Sequence, residues 1–330
     1  MTHILGDRPR APQKAEGSAF APSNIALCKY WGKRNEELNL PITPSLSVSL
    51  GTLGTHTTVS LNPAKDVIIL NDRPVPERSR FAKSAIAYLD LFRPSPDTFF
   101  LVRTRNSVPT AAGVASSASG FAALALALND FFGWDLERKD LSILARLGSG
   151  SACRSVYEGF VEWHAGAEAD GMDCYAEPID ETWPDLRLGL INVSTAPKDV
   201  GSRSAMNRTR RTSALYESWP IKVSHDMALI KEAIRDGHFK LLGKVAESNA
   251  LAMHATAISA WPPILFWLPE SVAVMRRIWE QRDGGLDAYF TMDAGPNVKL
   301  LFLAMDTARV EAAFHGIEIA TPFPETAPGS

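Results

Sequence analysis

Apolar positions along the chain recur with two periods, and the changes of period divide it into elements. Alternation bounded by Gly, Pro and Asn predicts strands at Ala21–Tyr30, Leu46–Leu50, Thr55–Leu61, Asp66–Leu70 and Asp97–Thr104. Helical spacing predicts Glu77–Phe92, the Ala-rich Ser119–Phe132 and the short Leu141–Leu147. A Gly- and Ser-rich turn then leads into a strand-like Gly159–Gly166. Composition turns polar and Pro-bearing across Pro178–Asp185 before a new strand begins at Leu186. A basic helix over Ser204–Tyr216, a helical pair broken at Gly237 and a further helix ending near Arg282 follow. Two strands, Leu286–Met292 and Asn297–Met305, flank a turn at Asp293–Asn297.

Strands and helices interleave irregularly with hairpin-like neighbours, so the pattern predicts an α+β chain. The composition shift divides it into domains at 19–185 and 186–330, and the polar, Pro-bearing residues 1–18 are expected to form a flexible tail. One predicted strand breaks its own rule. In Ser23–Asn35, Lys29 falls on the same face as Ile25 and Leu27, and Lys33 follows four residues later. An ammonium in line with Ile and Leu needs either an exit to solvent or an anion to meet.

Charge sharpens that choice. The 330 residues carry a formal net charge of −3, so no basic field covers the whole chain and nucleic acid is not an expected partner. Any anion site must be a local concentration of Lys and Arg. No run of about eighteen apolar residues is present, so no membrane span is expected. The odd count of three cysteines, with no CxxC pair, fits neither a disulfide framework nor a zinc site and points to a reducing, cytoplasmic setting. The seven histidines show no metal-ligand spacing, there is no GxSxG elbow, and Cys153 has no evident base, so nucleophilic catalysis is not expected.

Four stretches carry candidate chemistry. Ser107–Leu124 is a loop of small residues opening an Ala/Leu helix, where free N–H groups and the helix dipole favour phosphate; an ordinary Ser-capped buried helix has the same composition. Gly148–Arg154 alternates Ser with Gly before an arginine able to clamp a carboxylate or phosphate, although a flexible turn reads the same way. Lys198–Arg211 places arginines beside a helix start at Ser202, with Arg203 nearest the cap; a solvated basic face is the plainer alternative. Asp293 stands at a strand end before a Gly-Pro turn, either as a turn former or as a group that orients or deprotonates a hydroxyl.

Taken in order, Ala21–Leu50, Pro109–Leu124, Gly148–Trp163 and Ala288–Phe302 resemble the diphosphomevalonate decarboxylases of the GHMP kinase superfamily. The resemblance covers most of the chain; Lys29–Lys33, Gly148–Arg154 and Asp293–Asn297 are its specific parts, whereas the phosphate loop is common to the superfamily. It implies a two-domain fold, an N-terminal sandwich-like domain with the phosphate loop and a C-terminal ferredoxin-like domain, with the active site in the cleft between them. It also implies ATP-dependent decarboxylation of mevalonate 5-diphosphate to isopentenyl diphosphate, a cytoplasmic step of isoprenoid synthesis, by a homodimer using ATP and Mg2+.

By position, Asp293 takes the catalytic aspartate's place, Lys29 steadies it and Arg154 grips the carboxylate. Tyr30, Lys33, Ser149, Ser151, Ser202 and Arg203, with Met206 packing nearby, match positions for the substrate's anionic ends. Pro109, Ala112, Gly113, Ala115, Ser116, Ser117 and Ser119 match the ATP loop, with Ser117 the magnesium contact. One departure is Gly201-Ser202-Arg203, where many members carry Ser-Ser-Thr; it removes a hydroxyl and adds a charge. A monophosphate decarboxylase, a mevalonate-type kinase and a silent ligand sensor are the alternatives. Asp293, Lys29 and Arg154 occurring together disfavour the kinase, and retention of Asp293 and the phosphate-loop serines disfavours the sensor.

Overall fold

Strand β4 (Ser45–Asn62) organises the first half of the chain. The computed structural model describes residues 2–107, 116–196 and 198–323. The two runs predicted at Leu46–Leu50 and Thr55–Leu61 are one strand here, interrupted by an irregularity between Ser49 and Gly54 where the register with β1 shifts and Gly51, at φ +61°, takes the bend. Strand β1 (Glu16–Cys28) pairs along one edge of β4, from Glu16 opposite Ser60 to Cys28 opposite Leu46. The other edge is shared. Its C-terminal part carries β7 (Phe99–Asn106), followed by β5 (Val67–Leu70) and β6 (Arg73–Pro74). Its N-terminal part carries β8 (Phe160–Trp163) and then β9 (Ala176–Ile179). Strand β9 falls where the composition shift predicted a linker; its four residues are too few for alternation to register. The short hairpin β2 (Lys33–Asn35) and β3 (Leu40–Pro41) stands apart.

Helices α2 (Arg80–Leu89), α3 (Ser116–Phe132) and α4 (Arg138–Gly148) accompany this sheet. Helix α3 packs on β1 and β4, and its Ala-rich run allows close approach, with Ala122, Ala123 and Ala127 fully buried. Residues Gly150–Val156 form a 3-10 helix rather than the flexible turn their composition allows.

The second half contributes a four-stranded antiparallel sheet in the order β11 (Tyr289–Met292), β12 (Val298–Leu303), β10 (Leu186–Ile191), β13 (Glu318–Ala320). Helices α5 (Ser202–Thr212), α6 (Trp219–Arg235), α7 (Phe239–Ile258) and α8 (Pro269–Asp283) lie between β10 and β11, and α9 (Thr307–Ala313) precedes β13. That order, second-third-first-fourth in sequence, is the split βαβ arrangement of ferredoxin-like folds. With one parallel pair, β5 and β7, among otherwise antiparallel ladders, the class is α+β. The expected basic helix Ser204–Tyr216 is shifted, starting at Ser202 and ending at Thr212.

One apolar cluster joins the sheets: Ile25, Leu27 and Trp31 pack with Leu188, Trp219, Ile230 and Leu242. Strand β1 is therefore covered on both faces, which explains why Ile25, Ala26, Leu27 and Cys28 are all buried in succession.

The expectation of a flexible tail over residues 1–18 is not met. Helix α1 (Thr2–Leu5) places Ile4 and Leu5 in the core beneath α3, Arg8 donates to the Trp134 carbonyl, and β1 already starts at Glu16. A helix with two apolar residues in sequence has no periodic signature, so only burial against a distant partner reveals it. Leu5→Ala is expected to cost about 2–4 kcal/mol, read as a lower midpoint in urea unfolding; an unchanged midpoint would return these residues to a free tail.

Candidate active site

Lys29 immediately follows β1, where Ala26 and Cys28 remain locked to β4. Its ammonium is only 2% exposed and meets Asp293 Oδ1 at 2.9 Å and the Ala26 carbonyl at 2.7 Å. The lysine that broke the strand pattern thus turns inward to an anion.

Asp293 sits just after β11, and Lys299 from β12 approaches its other oxygen at 3.9 Å. Lys299 was not among the sequence candidates, yet it carries the same signal as Lys29, a lysine inside the apolar run Val298–Leu303. Burial pushes the Asp293 carboxyl up, but Lys29, Lys299 and Lys198 together outweigh it and hold the group well below the usual carboxylate range. Burial lowers Lys29, with Asp293 opposing the shift, and it lowers Lys299 to about 8, where Asp293 opposes and Lys29 and Lys198 assist.

Arg154 lies in the 3-10 turn after α4 and is buried. Three of its five N–H donors go to neutral acceptors, Nε to Ser47 Oγ at 2.9 Å, Nη1 to Ser45 Oγ at 2.6 Å and Nη2 to Asn24 Oδ1 at 3.2 Å, which leaves one N–H on each terminal nitrogen for a ligand. Among the described residues no carboxylate lies within ion-pair distance of it. Burial depresses its pKa, the mark of a cation without a resident counter-ion. Lys33 is in the same state, its Nζ 2.5 Å from Asn39 Oδ1, with burial and Arg203 lowering its pKa to about 8.

Tyr30 stacks edge-on to Trp163 at 4.7 Å, and its buried hydroxyl has no hydrogen-bond partner among the described residues. Gly150 permits that approach, since a Cβ there would come within 2.9 Å of the tyrosine ring.

These groups surround a cavity of about 560 Å³. Its wall includes Lys29, Tyr30, Lys33, Ser149, Ser151, Arg154, Ser202, Arg203, Met206 and Asp293, every residue expected at the substrate. Six cations, Lys29, Lys33, Arg80, Arg154, Lys198 and Arg203, face the single carboxylate of Asp293. Three helices also begin at the wall: α2 with Arg80, α3 with Ser117 and α5 with Ser202, so their positive ends add to the field.

Arg80 was missed because a cation at a helix start reads as surface. It explains the Gly201 departure: a Cβ at 201 would lie 3.0 Å from Arg80 Nη1, so a guanidinium takes the space of the lost side chain. Two other residues of the basic stretch do structural work, Arg210 donating to the Lys33 carbonyl and Arg208 to Pro262.

Of the expected ATP-loop residues, Pro109, Ala112, Gly113 and Ala115 lie outside the described residues. Ser116 opens α3 and Ser117 reaches the cavity. Ser119 does not: it is fully buried, hydrogen-bonded to Thr55 Oγ1 at 2.7 Å and Ser23 Oγ at 3.2 Å, and pins α3 to the sheet. Cys28, Cys153 and Cys174 are free and buried, and burial pushes Cys28 up to about 12, so no thiolate is on offer.

Family models match both halves. Residues 21–176 match the diphosphomevalonate decarboxylase-like N-terminal domain, and residues 190–323 match the mevalonate 5-diphosphate decarboxylase C-terminal domain. The chain belongs to the diphosphomevalonate decarboxylase family.

Similarity within the family is high over nearly the whole length. The diphosphomevalonate decarboxylase of Homo sapiens is 38% identical over 320 residues, covering 90% of this chain and 79% of that protein. The Aspergillus fumigatus enzyme is 37% identical over 319 residues, with coverage of 90% and 79%. The mevalonate diphosphate decarboxylase from Enterococcus faecalis superposes with a TM-score of 0.87 at 41% identity, covering 94% of this chain and 97% of that one. A related solved complex, described as MDDEF with MVAPP, AMPPCP and magnesium, gives 0.88 at 41% identity with the same coverage.

The unpaired cations predict a pH signature. Below about pH 8 Lys33 is charged in both folded and unfolded chains, so the fold bears the whole cost of burying it; that cost disappears as pH rises toward its ordinary 10.5. Lys33→Met is therefore expected to be more stable than the parent at pH 7 by up to about 2 kcal/mol, with the gap closing by pH 10.5, while pyrophosphate binding weakens at least tenfold. Thermal unfolding and calorimetry across that range check both limbs.

Proposed function

We propose that the protein phosphorylates the 3-hydroxyl of mevalonate 5-diphosphate with ATP and then eliminates phosphate and carbon dioxide to give isopentenyl diphosphate. The observation that carries this reading is the ratio of six cations to one carboxylate around a single cavity, in a chain whose net charge is negative. A nucleoside triphosphate and a substrate bearing a diphosphate and a carboxylate supply the anions that Lys33, Arg154 and Arg203 lack. The orphaned hydroxyl of Tyr30 fits the same ligand set.

Asp293 orients the tertiary hydroxyl and takes its proton as the oxygen attacks the terminal phosphorus. In the open site its carboxyl is too acidic for that duty. Phosphate oxygens near Lys29, Lys198 and Lys299 offset the positive field that holds it down, so substrate binding itself raises its basicity. The bond between the β-phosphate oxygen and the γ-phosphorus breaks, and ADP leaves.

Arg154 then holds the C1 carboxylate while the C3–O bond breaks and phosphate departs. The electron pair of the C1–C2 bond fills the developing cation at C3, forming the double bond and releasing carbon dioxide. A carboxylate gripped too tightly would resist that collapse. Arg154 already donates to three neutral oxygens, and this sharing moderates its hold.

Lys33, Arg203, Ser202, Ser149 and Ser151 bind the diphosphate, with Met206 as an apolar wall. The small-residue stretch Val108–Ser119 is the proposed ATP-phosphate site, with Ser117 its member at the cavity wall and Ser119 turned instead to Thr55 and Ser23. Ser117 would hold magnesium beside phosphate oxygens and water, an oxygen donor set suited to a hard cation that keeps few protein ligands, and the ion would neutralise charge on the transferring group. The units 19–185 and 186–330 act as the two jaws of the cleft. A homodimer in the cytoplasm completes the proposal; buried free thiols suit a reducing compartment.

With C1-labelled mevalonate 5-diphosphate, ATP and magnesium, ADP and carbon dioxide should appear in equal amounts. Asp293→Asn should lose both by about a thousandfold or more. ADP without carbon dioxide would make the protein a kinase, and turnover of the monophosphate alone would move the substrate one phosphate shorter. Arg154→Met should raise KM about tenfold to a hundredfold and leave more ADP than carbon dioxide; strict coupling in that variant would remove Arg154 from the second step.

A further inference from the structure

Helix α7 touches both partners of the Lys29–Asp293 pair, and it does so through their backbones. At Lys29, the main-chain N–H donates to Asn249 Oδ1 at 2.8 Å. The orientation of that amide is unambiguous, because its Nδ2 donates to Asp226 Oδ2 at 2.8 Å and a carboxylate can only accept. Asp226 is in turn held by Lys222 at 2.6 and 2.7 Å, one turn earlier on α6. At Asp293, the carbonyl lies 3.1 Å from His254 Nε2, so that nitrogen must carry the proton. Burial, with Lys29 as the next cause, lowers the His254 pKa to about 3, leaving one ring proton and a neutral side chain. Trp267 at 5.2 Å and Phe266 at 5.9 Å hold the ring in place.

Asn249 and His254 are both buried, at 0% and 1% exposure, inside a helix whose apolar faces are built into the core shared by the two halves. Five residues of helix fix their separation at about 7.5 Å along the axis. Neither side chain lines the cavity.

We propose that α7 sets the distance between Lys29 and Asp293, with Asn249 and His254 as positioning residues that each grip the backbone of one partner. The pair joins segments 264 residues apart, and among the described residues no ladder pairing links those segments. Besides the pair itself, Thr291 Oγ1 donates to the Ala26 carbonyl at 3.3 Å, which fixes one point of β11 against β1 but neither the Lys29 nor the Asp293 backbone. A rigid helix bonded to both gives the 2.9 Å contact a fixed gauge instead of leaving it to a flexible lysine stem.

The inference rests on the proposed reaction and deepens it. His254→Phe keeps the aromatic packing and removes the donor, and His254→Gln keeps a donor in place of the ring. The expected result for His254→Phe is a kcat lower by about tenfold to a hundredfold with KM for the diphosphate substrate within about twofold, and substantial recovery in His254→Gln. The pH profile of kcat should also narrow. As Asp293 drifts from Lys29, the ammonium is left among Lys299, Lys198, Arg154 and the neutral His254, with the Cys28 thiol and, beyond Asn249, Asp226 already paired to Lys222 as the acids nearby. Its loss of charge then moves to lower pH, while protonation of Asp293 moves to higher pH.

A purely structural role would lower the melting temperature without moving either limb. Equal kcat losses in folded Phe and Gln variants, or an unaltered profile, would overturn the proposal. Should His254→Phe fail to fold, Asn249→Ala carries the same readouts from the Lys29 side; failure of both to fold would assign α7 a structural role and overturn the proposal too. Parent enzyme assayed alongside separates the two readings. An inactive parent refutes the decarboxylase, whereas an active parent with an unaffected His254→Phe refutes only the gauge.

Discussion

The structure depends on the ion pair between the buried Lys29 and the half-buried Asp293, drawn from opposite ends of the chain. Lys29 is almost fully enclosed, and an ammonium in that position is tolerable only with a carboxylate and a carbonyl in contact. Strand β1 delivers the lysine by pairing with β4, and the turn after β11 delivers the aspartate. The apolar cluster shared by the two sheets brings these termini together. Pulling the halves apart would strand a buried charge as well as expose Trp219, Ile230 and Leu242.

Around this pair the molecule accumulates positive charge that it does not neutralise. Arg154 and Lys33 are buried against hydroxyls and amides, which take up part of their N–H groups and none of their charge. Burial lowers the pKa of both, and three helix N-termini deepen the potential. Stability is sacrificed for a site prepared to receive anions, and a ligand with phosphates and a carboxylate returns it on binding. In the proposed reaction the arrangement would also tie chemistry to occupancy, because two of the cations that keep Asp293 acidic, Lys29 and Lys198, line the cavity where phosphate oxygens would lie.

Most of the site was legible residue by residue. Lys29 stood out by sharing a face with Ile25 and Leu27, and Gly148–Arg154 and Asp293 by their turn chemistry. Lys299 carried a similar mark and was overlooked. Arg80, Asn249 and His254 were not legible, since a cation at a helix start and polar residues within an amphipathic helix are the ordinary features of a solvated or packed surface. The corrections have the same cause. Residues 2–15 lack periodicity yet dock on α3, β9 is too short to alternate, and Ser119 turns to Thr55 and Ser23 instead of the cavity.

By itself the sequence determined the alternation of elements, the α+β class and the residue types needed to hold phosphate and carboxylate, because periodicity and turn chemistry are local properties. Its resemblance to known decarboxylases supplied the family. Tertiary structure decided what depends on distance: that six cations from both halves face one cavity, that Arg80 fills the space beside Gly201, and that α7 holds both members of the central pair. Contacts such as Lys29 to Asp293, separated by 264 residues, leave no periodic trace in a single chain, since only the folded core determines which segments meet.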